Sequence, residues 1–160
     1  MLPLLVCRLI HWNWKTDMKK RLFIPIILGA MFASFALVRA QSPSKSVWDG
    51  VYTEEQAAKG KELYSTHCSS CHSDSMEGGE MAPALAGGGF SSNWAGLTAG
   101  DLFDRIRTTM PLNTPGKLSR EINANILAYI FKFNAFPAGT VELSQRSEYL
   151  KEIRIDASKK

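Results

Sequence analysis

The chain has 160 residues, 45% of them hydrophobic, and its 19 Lys and Arg against 15 Asp and Glu give a net charge of +4. That excess would suggest a nucleic-acid or anionic-membrane partner, but residues 1–40 hold six of the basic residues and one of the acidic ones. The remaining 120 residues carry 13 basic and 14 acidic side chains, a net charge of −1, which excludes nucleic acid as the expected partner.

Residues 18–40 have the pattern of an export signal. Three basic residues at 19–21 precede an apolar run of 17 residues at 22–38, and residues 38–40 fit the small-x-small cleavage pattern. We expect cleavage after Ala40 and a periplasmic mature protein. The alternative is a retained membrane anchor, for which 17 residues are at the short limit.

Residues 1–17 fit poorly in front of that signal. Met18 directly precedes the basic stretch, whereas Met1 is followed by apolar residues and two tryptophans. We therefore expect Met18 to be the initiating residue and residues 1–17 to be a spurious extension. Cys7 is not expected to be a lipid anchor, because the bulky Val6 stands where a lipoprotein signal has a small residue.

The first helix of the mature chain is predicted from its cap. Residues 41–52, which are rich in Ser, are expected to form a loose leader or linker. Thr53 begins the sequence Thr-Glu-Glu-Gln, a capping box in which Thr53 is the N-cap and Gln56 reaches back to it. This box predicts a helix from about Glu54 to Ser65.

Directly after this helix the chain reads Cys68-Ser69-Ser70-Cys71-His72, the pattern of a c-type haem attachment site. Each thiol adds to one vinyl group of the porphyrin, and the residues between them form a turn that presents both sulfurs to one haem edge. His72 then lies under the iron and supplies an imidazole nitrogen as the proximal ligand. The motif predicts one covalently bound haem c.

Two other uses of a Cys-x-x-Cys pair fit this segment less well. A thioredoxin-like redox pair opens a helix after a strand, whereas the residues before Cys68 have a helical pattern. A structural zinc site needs four ligands around a tetrahedron, and His67 is the only other candidate close in sequence. Since the haem motif uses both cysteines that remain after export, no disulfide is expected.

Two further helices are predicted beyond the motif. Thr98 and Asp101 open the first of them, and Ser119 caps a last main helix that ends near Phe133. Each has apolar residues at helical spacing, which predicts one face packed on the core. The expected apolar faces are Leu102, Phe103 and Ile106 in the first, and Ile122, Ile126, Tyr129, Ile130 and Phe133 in the second.

The domain is expected to span residues 53–138 and to be all-α. Residues 73–97 are rich in Gly and are expected to form an irregular loop that wraps the haem, which would explain so long a loop in a small domain. Residues 139–160 are expected to be a C-terminal extension with one short helix.

An electron-transfer haem needs a second axial ligand, and methionine is the usual one beside histidine. Met110 follows a whole helix and lies at a Pro-flanked bend, which would hold its sulfur over the opposite face of the haem. Met76 and Met81 follow the motif too closely to round the porphyrin edge and are expected to be packing residues. His67 adjoins the attachment cysteines, which makes its ligation geometrically poor.

At this point the chain resembles a class I, mono-haem cytochrome c, over about residues 53–138. Five elements occur in the order typical of that family, and the resemblance implies a small all-α fold around one covalent haem. The five elements are the capped first helix, the motif at 68–72, Pro83-Ala84-Leu85, Thr109-Met110-Pro111 and the sequence Ile-Leu-Ala-Tyr-Ile at 126–130.

The resemblance also implies roles for single residues. Gly60 and Tyr64 resemble the positions at which the first helix crosses the last. Pro83 resembles the proline whose carbonyl accepts the Nδ1 proton of His72 and so orients the imidazole. Trp94 resembles an aromatic donor to a haem propionate, with plain packing on the ring edge as an equal alternative.

A haem held by His72 and Met110 has no open position for a substrate, so the expected function is one-electron transfer and not catalysis. Two alternatives stay open. Without Met110 on the iron, the site would bind peroxide, nitric oxide or carbon monoxide, as a haem enzyme or a gas-binding protein does. The chain would instead be a fixed cytochrome subunit if it does not leave a larger redox complex.

Redox proteins are the expected partners. Residues 93–111 resemble cytochrome domains that accompany quinoprotein dehydrogenases, some of which are fused to a pyrroloquinoline-quinone propeller. The resemblance implies such a dehydrogenase as electron donor. The alternative is a shuttle between a cytochrome bc complex and a terminal oxidase. A membrane association is expected only if the signal segment is retained.

Overall fold

The all-α prediction is confirmed in the residues that the computed structural model describes, 43–80 and 82–159. The predicted export signal, residues 1–17 and Met81 lie outside the described residues. No helix among the described residues is long and apolar enough to cross a membrane. The elements are β1 (Lys45–Ser46), a 3-10 helix (Val47–Asp49), α1 (Glu54–His67), α2 (Ser69–His72), α3 (Gly87–Trp94), α4 (Ala99–Thr109), α5 (Arg120–Phe133), α6 (Ser147–Leu150) and β2 (Ile153–Arg154).

Helix α1 begins at the predicted cap and ends two residues later than expected. The Thr53 hydroxyl accepts a hydrogen bond from the Gln56 backbone N–H at 3.1 Å. The second half of the predicted capping box is wrong, because the Gln56 side chain does not return to Thr53. It donates to the Leu143 carbonyl at 3.0 Å and accepts from the Leu143 N–H at 2.7 Å. The buried side-chain amide thus gives hydrogen-bond partners to both the backbone N–H and the carbonyl of Leu143.

The crossing of α1 over α5 is close because Gly60 has no side chain. A Cβ on Gly60 would overlap the carbonyl oxygen of Asn125 and would lie 2.6 Å from its carbonyl carbon. One turn later, the rings of Tyr64 and Tyr129 meet edge to face, with centroids 5.5 Å apart. The backbones of the two helices therefore touch at Gly60, and the aromatic pair fixes their rotation about that point.

Helices α4 and α5 begin at the predicted caps. Thr98 forms a full capping box with Asp101, and the Ser119 hydroxyl accepts from the Ile122 N–H at 3.2 Å. The predicted apolar face of α5 is partly wrong, since Phe133 is 41% exposed. Both α1 and α4 contact α5, which buries two of its sides, so the core takes residues that a single stripe does not include. These are Ala124, Leu127, Ala128 and Phe131.

The Gly-rich stretch is not irregular throughout, because residues 87–94 form α3. This helix begins with three glycines, so helix propensity alone does not predict it. Phe90 is fully buried, and its packing on the core supplies the stability that the glycines do not. Gly87 has a φ of +63°, a value that glycine adopts without strain.

The predicted leader and C-terminal extension pack on each other and on the domain. Over its described part the leader is not loose, since Val47 and Tyr52 are buried and β1 pairs in parallel with β2. Asp156 accepts from the Ser46 hydroxyl at 2.7 Å, and its carbonyl accepts from the Trp48 indole at 3.0 Å. The C-terminal segment adds four buried side chains to the core: Leu143, Leu150, Ile153 and Ile155.

Replacing Gly60 with Ala is expected to destabilise the protein by about 2–3 kcal/mol, because the new methyl group collides with the α5 backbone. Denaturant unfolding measures this change. Gly88→Ala is the matched control, since a Cβ on this other helical glycine meets nothing within 4 Å. The control is expected to be neutral or to gain up to about 1 kcal/mol. Equal stability of the two variants would contradict the close crossing.

Stability is expected to fall in alkali because of Tyr52. Its hydroxyl donates to the Phe136 carbonyl at 2.6 Å, and burial, assisted by the charge of Glu54, raises its pKa to about 12. The pKa of Tyr52 is higher in the folded state than its unfolded value of about 10. Its contribution to the free energy of unfolding is therefore fully present below about pH 10 and is lost as the pH rises through about 12.

Tyr52→Phe tests this assignment. The variant is expected to lose about 1 kcal/mol near neutral pH, where the hydrogen bond is intact. Between about pH 10 and pH 12, the free energy of unfolding should fall less in the variant than in the wild type, since the variant has one titrating group fewer. Part of the slope should persist, because burial also raises the pKa of Tyr64. Identical slopes in the unfolding free energy would exclude Tyr52 as the cause.

Candidate haem site

The end of α1 and the short α2 present the cysteine motif. The Cys68 carbonyl accepts from the N–H groups of Cys71 and His72, at 3.1 and 2.9 Å, which closes a single turn. The Cys68 N–H in turn continues α1 by donating to the Tyr64 carbonyl at 2.8 Å. Both thiols are free, with Cys68 half-buried and Cys71 exposed, while His72 is buried.

The electrostatics of Cys68 do not suit a redox pair. Burial, assisted by the neighbouring Cys71, raises the pKa of its thiol to about 11. A thioredoxin-like pair needs a lowered pKa, because the thiolate is the nucleophile in exchange.

Among the described residues, no group of three or more His, Cys, Asp or Glu side chains lies close enough to hold a metal ion.

The imidazole of His72 is oriented from behind. Its Nδ1 lies 2.9 Å from the carbonyl oxygen of Pro83. A carbonyl can only accept, so Nδ1 carries the proton and Nε2 keeps a free lone pair. This is the arrangement that metal-ligating histidines usually have, with a partner that fixes the tautomer and raises the basicity of the ligand nitrogen.

The loop from His72 to Ala86 folds back on itself to bring Pro83 to the imidazole. The Gly78 N–H donates to the His72 carbonyl at 3.1 Å, and the Leu85 N–H donates to the Met76 carbonyl at 2.7 Å. Gly78 has a φ of +76°, and a Cβ there would overlap the Ala82 carbonyl oxygen. Glycine is therefore required for the close return of the chain.

The methionines lie in different surroundings. Met110 follows the last residue of α4, and its N–H donates to the Ile106 carbonyl at 2.9 Å. Its side chain is half-buried against the core. Met76 is fully buried in the core, as is common for a packing methionine. His67 is the last residue of α1.

Trp94, the residue proposed for the propionate side, is only partly buried, and Arg107 on α4 is a second candidate. Trp94 ends α3 and packs half-buried against the core. On α4, one turn before Met110, the Nε of Arg107 is buried and has no hydrogen-bond partner among the described residues. The other end of its guanidinium donates to Asp104 at 3.4 Å. A buried donor without a partner is costly, and an anionic group such as a carboxylate would satisfy it.

These residues fit a c-type haem. The chain offers two free thiols in one turn, an imidazole with a free Nε2 held by a backbone carbonyl, and an unsatisfied buried guanidinium N–H. Sequence reasoning missed Gly78 and the Tyr64 hydroxyl, which donates to the Ser73 carbonyl beside His72 at 2.8 Å. The Gly-Gly pair at 78–79 indicates a tight turn. Gly78, however, packs against the carbonyl of Ala82, four residues away in a loop without periodicity, and the sequence pattern does not predict that contact.

This fold and site are similar to those of a mono-haem, class I cytochrome c. Residues 55–130 match the family model described as cytochrome C oxidase, cbb3-type, subunit III, so this part of the chain is similar to that family. No curated protein matches the chain at a significant level.

Among solved structures, the sulfane dehydrogenase SoxCD from Paracoccus pantotrophus is similar, with 23% identity over 75% of this chain and 68% of that chain. The TM-score is 0.45, a level at which the similarity supports no inference about activity.

Covalent attachment is expected through both cysteines. Cys68→Ser and Cys71→Ser are each expected to keep haem through one thioether bond, and the double variant is expected to lose all covalently bound haem. Haem staining after electrophoresis under denaturing conditions measures this. Ser69→Ala is the control within the same turn, since its exposed hydroxyl bonds only to the Ser65 carbonyl in the described residues. Haem staining that survives in the double variant would rule out these thiols as the anchors.

Proposed function

We propose that this chain is a periplasmic one-electron carrier that holds one haem c through Cys68 and Cys71, with His72 and Met110 as axial ligands. The observation that carries the proposal is the hydrogen bond from His72 Nδ1 to the Pro83 carbonyl, which leaves Nε2 free for iron. The cytochrome family match over residues 55–130 supports it independently.

The bound haem supplies reversible one-electron exchange between ferrous and ferric iron. The residues decide how that exchange is used. His72 and Met110 together would fill both axial positions and so exclude substrate. A thioether is a weak donor that favours ferrous iron, whereas the hydrogen-bonded His72 is a stronger donor that favours ferric iron. Their combination is expected to give a moderately high reduction potential.

Export is part of this proposal. Residues 18–40 would direct the chain out of the cytoplasm, and cleavage after Ala40 would release a mature protein with a net charge of −1 before the haem propionates are counted. A near-neutral carrier is not steered strongly over long distances, so partner choice would rest on the contact surface itself.

The contact surface would be the exposed haem edge. Cys71 is exposed on one side, and Leu112, in the turn after Met110, is 67% exposed. A small, weakly apolar surface suits a transient redox complex. A quinoprotein dehydrogenase is the proposed donor, and a terminal oxidase is a proposed acceptor, with a cytochrome bc complex as the alternative donor.

One observation favours a second candidate function, that of a fixed subunit in a larger redox complex. The matched family model is described as a subunit of a cytochrome oxidase. Co-purification under mild conditions separates the two, because a diffusing carrier is recovered alone and a fixed subunit is recovered with its complex.

The optical spectrum of the purified protein tests the ligation. The ferric wild type is expected to have a weak far-red sulfur-to-iron band, and the ferrous form sharp low-spin bands. Met110→Ala should lose the far-red band and bind carbon monoxide, because it opens one axial position. Met76→Leu, a substitution in the core that conserves volume, should keep the band. A high-spin wild type that binds carbon monoxide would point to a gas-binding or catalytic haem protein instead.

A further inference from the structure

The geometry points to Asn134 as a positioning residue that controls the donor strength of His72 through the backbone of residues 83–87, here called the proline strap. The inference rests on the proposed ligation of haem by His72. It assigns a role in setting the reduction potential to a residue that lies 62 positions from the ligand in sequence.

Asn134 joins the end of α5 to the proline strap. Its Nδ2 donates to the Leu85 carbonyl at 2.9 Å, and its Oδ1 accepts from the Gly87 N–H at 3.0 Å. The same Nδ2 donates to the Ile130 carbonyl at 2.9 Å, within its own helix. One side chain thus binds two backbone groups on the strap and one on α5.

The contact reaches His72 through a short run of backbone. Leu85 is held on both sides, because its N–H donates to the Met76 carbonyl at 2.7 Å and its carbonyl accepts from Asn134. Pro83 stands two residues before Leu85, and its own carbonyl accepts from His72 Nδ1.

Only a short amide meets the demands of this position. The Leu85 carbonyl requires a donor, and the Gly87 N–H requires an acceptor two bonds away. The Ile130 carbonyl already accepts from the Asn134 backbone N–H at 3.1 Å and shares the side-chain donor. A carboxylate would repel both carbonyls, and a hydroxyl is too short to reach both sides of the strap. The partners also fix the orientation of the amide, because a flipped one would set its NH2 against the Gly87 N–H.

The strength of the Pro83 hydrogen bond is expected to set the basicity of the His72 ligand nitrogen. A short Nδ1–H to carbonyl bond gives the imidazole more anionic character and stabilises ferric iron. If the strap loosens, the imidazole becomes a weaker donor and the reduction potential rises. Asn134 therefore holds the potential down, although it lies outside the haem motif.

A plain helix cap is the competing role for Asn134, and the bond to Ile130 alone would satisfy it. A cap contributes to the stability of α5 but leaves the electronic state of His72 unchanged. Stability measurements alone cannot separate the two roles. Two readouts that report on the imidazole can: the reduction potential, and the exchange rate of the His72 Nδ1 proton in the ferrous protein by NMR.

The test compares haem-loaded Asn134→Ala and Asn134→Asp with the wild type. Both variants remove the donor to Leu85, so both are expected to raise the reduction potential and to speed Nδ1 proton exchange about tenfold, the factor that corresponds to one lost hydrogen bond. Asn134→Asp keeps the size of the side chain and the acceptor for Gly87, so it serves as the measurement if the alanine variant does not fold.

Gln56→Ala is the matched control. It also removes two side-chain hydrogen bonds to a distant backbone segment, at Leu143, but touches neither the strap nor His72 in the described residues. Its potential and exchange rate should equal those of the wild type. Unchanged values in both Asn134 variants, with a normal wild-type spectrum, would overturn the inference alone. A wild type without a low-spin, His-ligated haem would overturn the proposed function and this inference with it.

Discussion

The close crossing of α1 and α5 is the constraint on which the rest of the molecule depends. Helix α1 ends where the cysteine motif begins, and α5 is followed directly by Asn134, whose side chain binds the proline strap. The two helices touch backbone to backbone at Gly60, and this crossing connects the position of the attachment cysteines to that of the strap. A change at Gly60 would therefore be felt at His72 although the two residues do not touch.

The C-terminal segment supports the other side of the site. Asp104 on α4 accepts a hydrogen bond from the Ser147 hydroxyl, and the ammonium group of Lys151 lies 3.9 Å from the same carboxylate. These contacts, together with the buried side chains of the segment, hold α4, which directly precedes Met110. The residues after Gly139 thus belong to the core as much as the predicted domain does, which is why a boundary at residue 138 divides one packed unit.

Features that depend on neighbours in sequence were predictable, and features that depend on distant partners were not. The caps at Thr98 and Ser119 are local, and so is the motif at 68–72, so the pattern of residues is enough. The Gln56 side chain does not complete the capping box with Thr53, because it binds the backbone N–H and carbonyl of Leu143, 87 residues away. Helix α3 was not predicted for the same reason. Its glycines disfavour a helix, and Phe90 stabilises it only once its side chain is packed in the core.

The two sides of the candidate site differ in the way that electron transfer requires. Towards the interior, His72 is buried and oriented by a carbonyl whose loop is closed by hydrogen bonds at Gly78 and Leu85. If His72 ligates iron as proposed, a side chain held this firmly would keep its geometry when the charge on the metal changes, and little structural rearrangement would accompany the transfer. Towards solvent, Cys71 and Leu112 are exposed. In the proposed carrier, a rigid interior and an exposed edge together would let the electron leave through a brief contact, without any movement of His72.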